Sequence, residues 1–480
     1  MTITIIGLGP GDAMQLTREA WSLLTAAEEI YLRTERHPTV QGLPKELAFH
    51  SFDHWYDQAE NFDQLYDKIA EEVMRLGQRP QGVTYAVPGH PLVGESTVMR
   101  IVELAGQAGV PVRIVNGISF VSPMLACLGV DALDGLQIAD ATDVAARHHP
   151  SFNPDVPVVV GQLYNREIAS NVKLTLMNQY PDDHAVKLLY AVGTPGERVE
   201  TIPLHELDHH EVDHLTSLYV PPLPCPSAFE TFQDTIAHLR APDGCPWDRE
   251  QTHQSLRRNL LEETYEALAA LDADDPNALH EEMGDLLLQI VLHSQIAVED
   301  GEFSMADVIA AVDAKIKRRH PHVFGDVRVS GVGDVVANWE AIKKDERAEN
   351  GNGHKSALDG VPVDLPALTQ AEAYGDRASR VGFDWPNVDG VLDKVSEELG
   401  EIRAADDPDE RAEEFGDLLF ALVNTARWLK IDPEAALRSA NQKFASRFRH
   451  VEAQVRTQSR DLTGMSLAEL DTLWEAAKQS

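Results

Sequence analysis

The chain has 480 residues, of which 78 are acidic and 41 are basic, so its formal net charge at pH 7 is −37. This length predicts two to four domains and excludes a single small module. With 43% hydrophobic and 25% charged residues, a disordered or low-complexity chain is also excluded. The acidic excess disfavours nucleic-acid polymers and anionic membranes as partners, since both attract clustered lysine and arginine. The carboxylates either serve solubility or hold cations, and their positions must decide between the two.

Cysteine content and the first residues predict a cytoplasmic protein. The three cysteines, Cys127, Cys225 and Cys245, are too few and too scattered for a disulfide framework or a paired-ligand zinc site. Residues 1–17 contain no lysine, arginine or apolar core, so we expect no signal peptide. No stretch approaches the roughly 18 apolar residues of a membrane-spanning helix.

In chain order, short β-branched runs first alternate with helical stretches. The predicted strands are residues 3–6, 82–87, 112–115, 158–161 and 186–191, and the predicted helices include residues 16–27 and 97–108. Such alternation is typical of an α/β domain with a mainly parallel sheet. Four prolines within residues 221–226 then indicate a linker.

Beyond the linker, apolar residues recur at helical spacing. The predicted helices are residues 229–240, 256–271, 279–298, 305–317, 391–404, 411–429 and 435–455. We therefore predict an α/β domain over residues 1–223 followed by two all-α domains over residues 224–345 and 346–480.

The helical part contains an internal duplication. Glu-Glu-x-x-Glu at 262–266 matches 397–401, Glu-x-x-Asp at 282–285 matches 414–417, and an Asp-Asp-Pro turn separates the two motifs in each copy. Lys315 and Arg319 correspond to Lys443 and Arg447. A period of about 130 residues is too long for a solenoid, so a duplicated helical domain is expected.

The duplicated carboxylates predict a cation site. Residues three or four apart share a helix face, and the turn would bring two such faces together. Four close carboxylates repel one another unless divalent cations neutralise them, and an all-oxygen donor set suits Mg²⁺ or Mn²⁺. The alternative is a solvated acidic face, which the apolar neighbours Leu399 and Ile402 and the duplication disfavour.

This pattern resembles the all-α nucleoside triphosphate pyrophosphohydrolases, and its flanks are similar to the MazG family. The flanking segments are residues 244–248, 318–324, 338–343, 381–385 and 443–448, within a resemblance that covers about residues 227–480. The resemblance implies Mg²⁺-dependent cleavage between the α and β phosphates of a nucleoside triphosphate, giving a monophosphate and pyrophosphate. It also implies a homodimer.

The resemblance assigns residues to roles. Glu397 would orient or deprotonate water, and it belongs to a catalytic set completed by Glu398, Glu401, Lys443 and Arg447. The metal ligands would be Glu398, Glu401, Glu414 and Asp417, with Glu263, Glu266, Glu282 and Asp285 in the first copy. The nucleotide contacts would be Lys343, Lys394, Lys443, Arg447 and Trp474.

Two alternatives remain open at this point. Lys443 and Arg447 could form an ordinary exposed helix face, and Trp474 could be a core residue. The resemblance favours the second copy as the working one, while the first is expected to bind metal with its turnover left open.

Residues 7–12, Gly-Leu-Gly-Pro-Gly-Asp, form a glycine-rich turn after the first predicted strand. Asp12 replaces the third glycine of a dinucleotide-binding fingerprint, and no Gly-Lys-Ser/Thr follows, so neither a Rossmann site nor a P-loop is expected. A purely structural turn is the alternative.

With residues 85–91 and 116–120, this turn resembles the tetrapyrrole (precorrin/uroporphyrinogen) methylase superfamily over about residues 1–223. His90 and Asn116 stand where aspartate and proline are common in that superfamily. The resemblance implies S-adenosylmethionine bound between two α/β lobes. Its contacts would be Gly9, Pro10, Gly11, Asp12, Gly89, His90, Pro91, Gly117, Ile118 and Ser119.

Together the two parts resemble bifunctional methylase-like/MazG proteins. We predict an enzyme that removes non-canonical or excess nucleotides, with a methylase-like domain whose substrate the sequence leaves open. One alternative is a regulatory protein that binds nucleotide and a second ligand. Another is a porphyrinoid methyltransferase with an accessory helical part.

Overall fold

The computed structural model describes residues 1–56, 58, 62–349, 356–458 and 460–478. The chain forms two compact units, Met1–Leu239 and Arg240–Ser480. The first contains strands and helices, whereas the second is helical. This confirms the fold class predicted from the sequence.

Strands and helices alternate through the first unit. The strands are β1 (Ile3–Gly7), β2 (Ile30–Leu32), β3 (Phe49–Ser51), β4 (Val83–Val87), β5 (Val112–Val115), β6 (Gln137–Asp140), β7 (Val158–Gly161), β8 (Ala185–Tyr190), β9 (Arg198–Pro203) and β10 (Thr216–Val220). The helices are α1 (Arg18–Ala26), α2 (Asp53–Tyr56), α3 (Phe62–Gly77), α4 (Ser96–Ala108), α5 (Val121–Leu128), α6 (Ala141–Ala145), α7 (Arg166–Leu176) and α8 (Phe229–Arg240).

The strands form two five-stranded sheets, with orders β3-β2-β4-β1-β5 and β6-β7-β10-β8-β9. Every pairing in the first sheet is parallel. In the second sheet only β6 and β7 pair in parallel, so the expected mainly parallel arrangement holds for the first sheet alone. The difference arises because β8 connects to β9 through a short turn, and a short connection permits only an antiparallel pair.

The first sheet is buried on both faces. Ile3 and Ile5 pack with the apolar faces of α3 and α4, whereas Ile6 and Leu8 pack with Leu24 of α1. Parallel strands covered on both sides form a continuous apolar run, which is why β1 could be predicted from residues 3–6. This packing fixes the carboxyl ends of β1, β4 and β5 at one edge of the sheet.

The proline-rich segment at 221–226 lies inside the first unit. One Asp155 carboxylate oxygen accepts the Ser227 amide at 2.7 Å, and the other accepts the Thr231 hydroxyl at 2.6 Å. These contacts cap the start of α8, so the segment after the prolines is fixed to the unit that precedes it.

The second unit consists of helices. They are α9 (Pro246–Arg249), α10 (Arg257–Asp272), α11 (Pro276–Asp300), α12 (Met305–Arg319), α13 (Pro321–Phe324), α14 (Val332–Glu349), α15 (Ala367–Arg380), α16 (Val388–Ala404), α17 (Pro408–Trp428), α18 (Pro433–Thr457) and α19 (Leu467–Ala477). The hairpin helices α10, α11, α16 and α17 were predicted from the sequence, whereas α14 and α15 were not. Within the described part of the chain, no helix is both long and apolar enough to cross a membrane.

Candidate active sites

Two matching helical hairpins carry the predicted carboxylates. In the second, Asp407 caps α17 by accepting the Asp409 amide, and Pro408 occupies the first turn. In the first, Asp275 caps α11 by accepting the Asn277 and Ala278 amides. An aspartate at this position accepts hydrogen bonds from the free amides of the first helical turn and so starts the new helix. Proline fits the first turn because the amide hydrogen that it lacks would have no partner within the helix there. In each hairpin the two helices pack against each other.

In the second hairpin, Glu398, Glu401 and Glu414 form what we term the second carboxylate cluster. One oxygen of each side chain lies within 4.8 Å of the others. Glu398 is only 2% exposed, and its Oε2 has no hydrogen-bond partner among the described residues. A buried carboxylate oxygen without a partner is costly, so this position favours a ligand that supplies positive charge.

The first hairpin contains the first carboxylate cluster, Glu263, Glu266 and Glu282, within the same 4.8 Å limit. The predicted ligands Asp285 and Asp417 fall outside these two groups of three. They are nevertheless close enough to act on the neighbouring carboxylates. Desolvation is the largest cause of the raised pKa of Glu263 and of Glu414, and the charges of Asp285 and Asp417, respectively, raise these pKa values further. The structure therefore brings three of the four predicted ligands in each copy into one group.

A lysine distinguishes the second cluster from the first. Lys394 Nζ lies 2.7 Å from Glu398 Oε1 and 2.9 Å from Glu397 Oε1. This contact lowers the pKa of Glu398 and raises the pKa of Lys394. Asn259 is the corresponding residue in the first copy, four positions before Glu263. With no ammonium there, desolvation and the surrounding carboxylates raise the pKa of Glu263.

Glu397, the predicted water-activating residue, stands at the margin of the second cluster. Its side chain is 56% exposed, and its carboxylate accepts a hydrogen bond from Lys394. It is not one of the three converging carboxylates.

The predicted phosphate-binding pair lies on α18. Lys443 is exposed and Arg447 is half-buried, and neither forms a hydrogen bond or ion pair within the part of the chain that the structure describes. In the first copy Lys315 is exposed like Lys443, whereas Arg319 forms an ion pair with Glu346 at 2.7 Å. Among the described residues, the arginine is therefore free of an ion pair in the second copy and paired in the first.

The two remaining predicted nucleotide contacts lie in different copies. Lys343 Nζ sits 4.1 Å above the Trp339 ring on α14, next to Arg319 of the first copy. Trp474 is half-buried and packs against Phe444 and a cluster that includes Val451 and Val455. The tryptophan thus contributes to packing between α18 and α19 and keeps part of its ring accessible.

In the first unit, three glycine-containing loops meet at the carboxyl ends of β1, β4 and β5. Gly9 and Gly89 exchange backbone hydrogen bonds of 3.1 and 2.8 Å. A Cβ atom added to Gly117 would lie 2.1 Å from the Gly89 carbonyl oxygen, and one added to Gly7 would lie 2.6 Å from it. Only glycine permits this approach.

The other predicted cofactor positions surround this junction. Pro10, Gly11 and Pro91 are buried, and Ile118 and Ser119 are half-buried. Asp12 accepts the Met14 amide, and His90 Nδ1 accepts the Leu92 amide at 3.1 Å. A Cβ on Gly11 would lie 2.6 Å from Thr194 Cγ2, so the loop after β8 closes over the glycine turn.

Sequence reasoning missed two features of these sites. Gly7 belongs to the glycine junction but was not among the predicted contacts, although its position at the end of β1 was a usable signal. Asp384, inside the family-like segment 381–385, accepts hydrogen bonds from Arg427 and Trp428. Its role is to hold that segment against the end of α17.

The residues present fit the cofactors that the sequence suggested. Carboxylate oxygens are the donors that Mg²⁺ and Mn²⁺ prefer. Glu398 Oε2, which is buried and has no hydrogen-bond partner in the described part of the chain, is suited to a cation. The glycine junction lies at the carboxyl edge of a parallel sheet, where α/β proteins bind ligands.

Comparison with known proteins supports both halves. The family model for tetrapyrrole (corrin/porphyrin) methylases matches residues 2–208, and that for the MazG nucleotide pyrophosphohydrolase domain matches residues 251–324. The uncharacterized protein YabN of Bacillus subtilis is 43% identical over 100% of this chain and 98% of its own length. The nucleoside triphosphate pyrophosphohydrolase/pyrophosphatase MazG of Thermotoga maritima is 44% identical over 52% of this chain and 95% of its own length.

Among solved structures, uroporphyrin-III-C-methyltransferase from Thermus thermophilus is 21% identical, with a TM-score of 0.36. The match covers 46% of this chain and 91% of that one.

Proposed function

Because this chain belongs to the MazG nucleotide pyrophosphohydrolase family and carries a tetrapyrrole methylase domain ahead of it, we propose that its helical part hydrolyses nucleoside triphosphates to monophosphate and pyrophosphate. The observation that carries this proposal is the convergence of Glu398, Glu401 and Glu414, in which one buried carboxylate oxygen has no hydrogen-bond partner among the residues that the structure describes. The activity fits removal of unwanted nucleotides from the pool.

The ligand assignment is part of the proposal. Glu398, Glu401, Glu414 and Asp417 would hold Mg²⁺, or Mn²⁺ in its place. When bound, such a cation neutralises the carboxylates and polarises phosphoryl oxygens. The first carboxylate cluster, with Asp285, offers a second metal site of the same donor type.

The protein's own residues would position the water and the triphosphate. Glu397, exposed beside the cluster, would accept the proton of the attacking water as the water oxygen bonds to phosphorus and the bridging α–β P–O bond breaks. Lys394, Lys443 and Arg447 would compensate the phosphate charge, the guanidinium by a bidentate contact. Trp474, partly accessible beside Phe444, would offer a flat surface to the base or ribose. Lys343 would serve the first copy, where it lies near Arg319.

For the first unit we propose S-adenosylmethionine binding at the glycine junction. The methylase family match and the close approach of Gly9, Gly89 and Gly117 support this assignment. Calorimetry with S-adenosylmethionine and S-adenosylhomocysteine tests it, and an absence of heat with both would contradict it.

The exposed apolar surface of the helical unit favours a homodimer. On α17, Phe415, Leu419 and Leu422 are exposed at spacings of four and three residues. The corresponding positions on α11, Met283, Leu287 and Ile290, are exposed in the same way. We term these the α17 stripe and the α11 stripe. Apolar stripes beside the proposed ligands are expected to be covered by a second copy of the chain.

The three free thiols, Cys127, Cys225 and Cys245, suit the reducing conditions of the cytoplasm, where we place the protein. We propose three functional regions, namely a methylase-like region over residues 1–223 and two MazG-like regions over residues 224–345 and 346–480.

A panel of nucleoside and deoxynucleoside triphosphates tests the enzymatic proposal. With Mg²⁺, equal amounts of pyrophosphate and monophosphate are expected, and a chelator should stop their release. Release of orthophosphate in place of pyrophosphate would contradict the proposed bond cleavage. Nucleotide binding without turnover would favour the regulatory alternative.

A further inference from the structure

Lys394 places an ammonium group against the proposed metal site. Its Nζ lies 2.7 Å from Oε1 of the buried Glu398, while Glu398 Oε2 faces no hydrogen-bond partner within the described ranges. The same carboxylate converges with Glu401 and Glu414. One oxygen of Glu398 is therefore neutralised by the lysine, and the group as a whole still carries excess negative charge.

A divalent cation bound to Glu398 would introduce a second positive centre beside the ammonium. Like charges this close repel, and in a partly buried site water screens them poorly. Since Lys394 is half-buried on a flexible four-carbon stem, the ammonium can move away while its helix stays in place.

We propose that Lys394 stands in for a cation while the second carboxylate cluster is empty, and that metal binding drives its ammonium away from Glu398. The inference rests on the proposed function for what happens next, namely that the displaced ammonium becomes available to the triphosphate. Metal loading would then prepare the nucleotide site.

The first copy provides a natural comparison. Asn259 stands at the position of Lys394, and an amide carries no charge that could compete with a metal ion. Glu263, Glu266 and Glu282 converge within the same 4.8 Å limit. The two clusters therefore have the same carboxylates, but the lysine ammonium is beside the second one alone among these two. We expect metal binding to release a lysine at the second cluster and not at the first.

The test measures Mn²⁺ binding without nucleotide, by calorimetry on the full chain. In this series every chain also carries Glu266→Gln, which weakens metal binding at the first cluster. Lys394→Met should bind Mn²⁺ roughly tenfold more tightly at the second cluster, a change of about 1.4 kcal/mol. Lys394→Gln, which keeps a polar group, should shift affinity in the same direction. Arg403→Met is the matched control, because it removes one positive charge from an exposed position on the same helix. It should change the affinity less than twofold.

The reciprocal variant extends the test to the first cluster. In a chain carrying Glu401→Gln, Asn259→Lys should weaken Mn²⁺ binding by a similar factor. Unchanged or weaker binding in both Lys394 variants, with wild-type circular dichroism, would overturn the proposal and assign Lys394 a supporting role. If Lys394→Met does not fold, Lys394→Gln and Asn259→Lys decide. If the wild type releases no pyrophosphate but the Lys394 variants still bind Mn²⁺ more tightly, the enzymatic proposal is contradicted and the proposal for Lys394 is not.

Discussion

Lys394 Nζ lies 2.7 Å from the buried carboxylate of Glu398, whereas the duplicate of this pair is Asn259 with Glu263. The consequence is opposite for the two carboxylates, since the lysine lowers the pKa of Glu398 while burial and neighbouring carboxylates raise the pKa of Glu263. The two copies therefore carry the same acidic residues but differ in electrostatics. Each should be disabled separately in any functional assay.

Substitution of Gly117 tests the role of the glycine junction in stability and in cofactor binding. A Cβ atom at this position would lie 2.1 Å from the Gly89 carbonyl oxygen, a backbone atom that cannot swing aside. We expect Gly117→Ala to destabilise the first unit by about 2–3 kcal/mol and to weaken S-adenosylmethionine binding at least tenfold. Thermal unfolding and calorimetry measure these effects.

Gly106→Ala is the control for this change. Gly106 lies in helix α4, and a Cβ there would meet nothing within 4 Å. The substitution should leave cofactor binding intact and raise stability by up to about 1 kcal/mol. Equal effects of the two substitutions would contradict the role given to the junction.

The α17 stripe tests the dimer. Leu419→Glu would place a charge in the proposed dimer interface, and an uncompensated buried charge costs about 3 kcal/mol or more. Light scattering on a size-exclusion column should show dissociation at concentrations at which the wild type is dimeric. Leu133→Glu, on an exposed residue of the first unit, should not change the mass. A monomeric wild type would contradict the prediction.

His37 tests the electrostatics of the first unit. Burial, with the nearby His214 and Arg33, lowers the pKa of His37 from 6.5 to about 4. Between pH 6.5 and 4, His37 binds a proton in the unfolded chain but not in the folded chain. This residue therefore lowers the free energy of unfolding as the pH falls through that window. NMR titration, with His37→Gln identifying the resonance, should show no midpoint above about pH 5. Titration near pH 6.5 would contradict the buried, neutral state.

Much of the fold could be predicted because its signals are local. Helix periodicity and the Asp-Pro turns were sufficient to predict the α10–α11 and α16–α17 hairpins, and their packing brings Glu398, Glu401 and Glu414 together. The apolar run of residues 3–6 likewise predicted a strand of a mainly parallel sheet, and β1 pairs in parallel with β4 and β5.

The rest depends on contacts between distant residues, which composition and spacing do not determine. Arg319 was predicted to match Arg447, but it pairs with Glu346, 27 residues away. The antiparallel part of the second sheet required β9 and β10, whose short runs were not predicted as strands. The contact of Lys394 with the cluster became visible only with side-chain positions, although its i, i+4 spacing from Glu398 was a usable signal.

The central claim is that the second carboxylate cluster performs the hydrolysis, and pyrophosphate release by Glu401→Gln and Glu266→Gln tests it most directly. The two substitutions are isosteric and occupy matching positions in the duplicated hairpins. At saturating Mg²⁺, we predict that Glu401→Gln lowers kcat by about two orders of magnitude or more, and that Glu266→Gln retains most of the wild-type rate. Full activity in Glu401→Gln, or its loss in Glu266→Gln alone, would contradict the assignment.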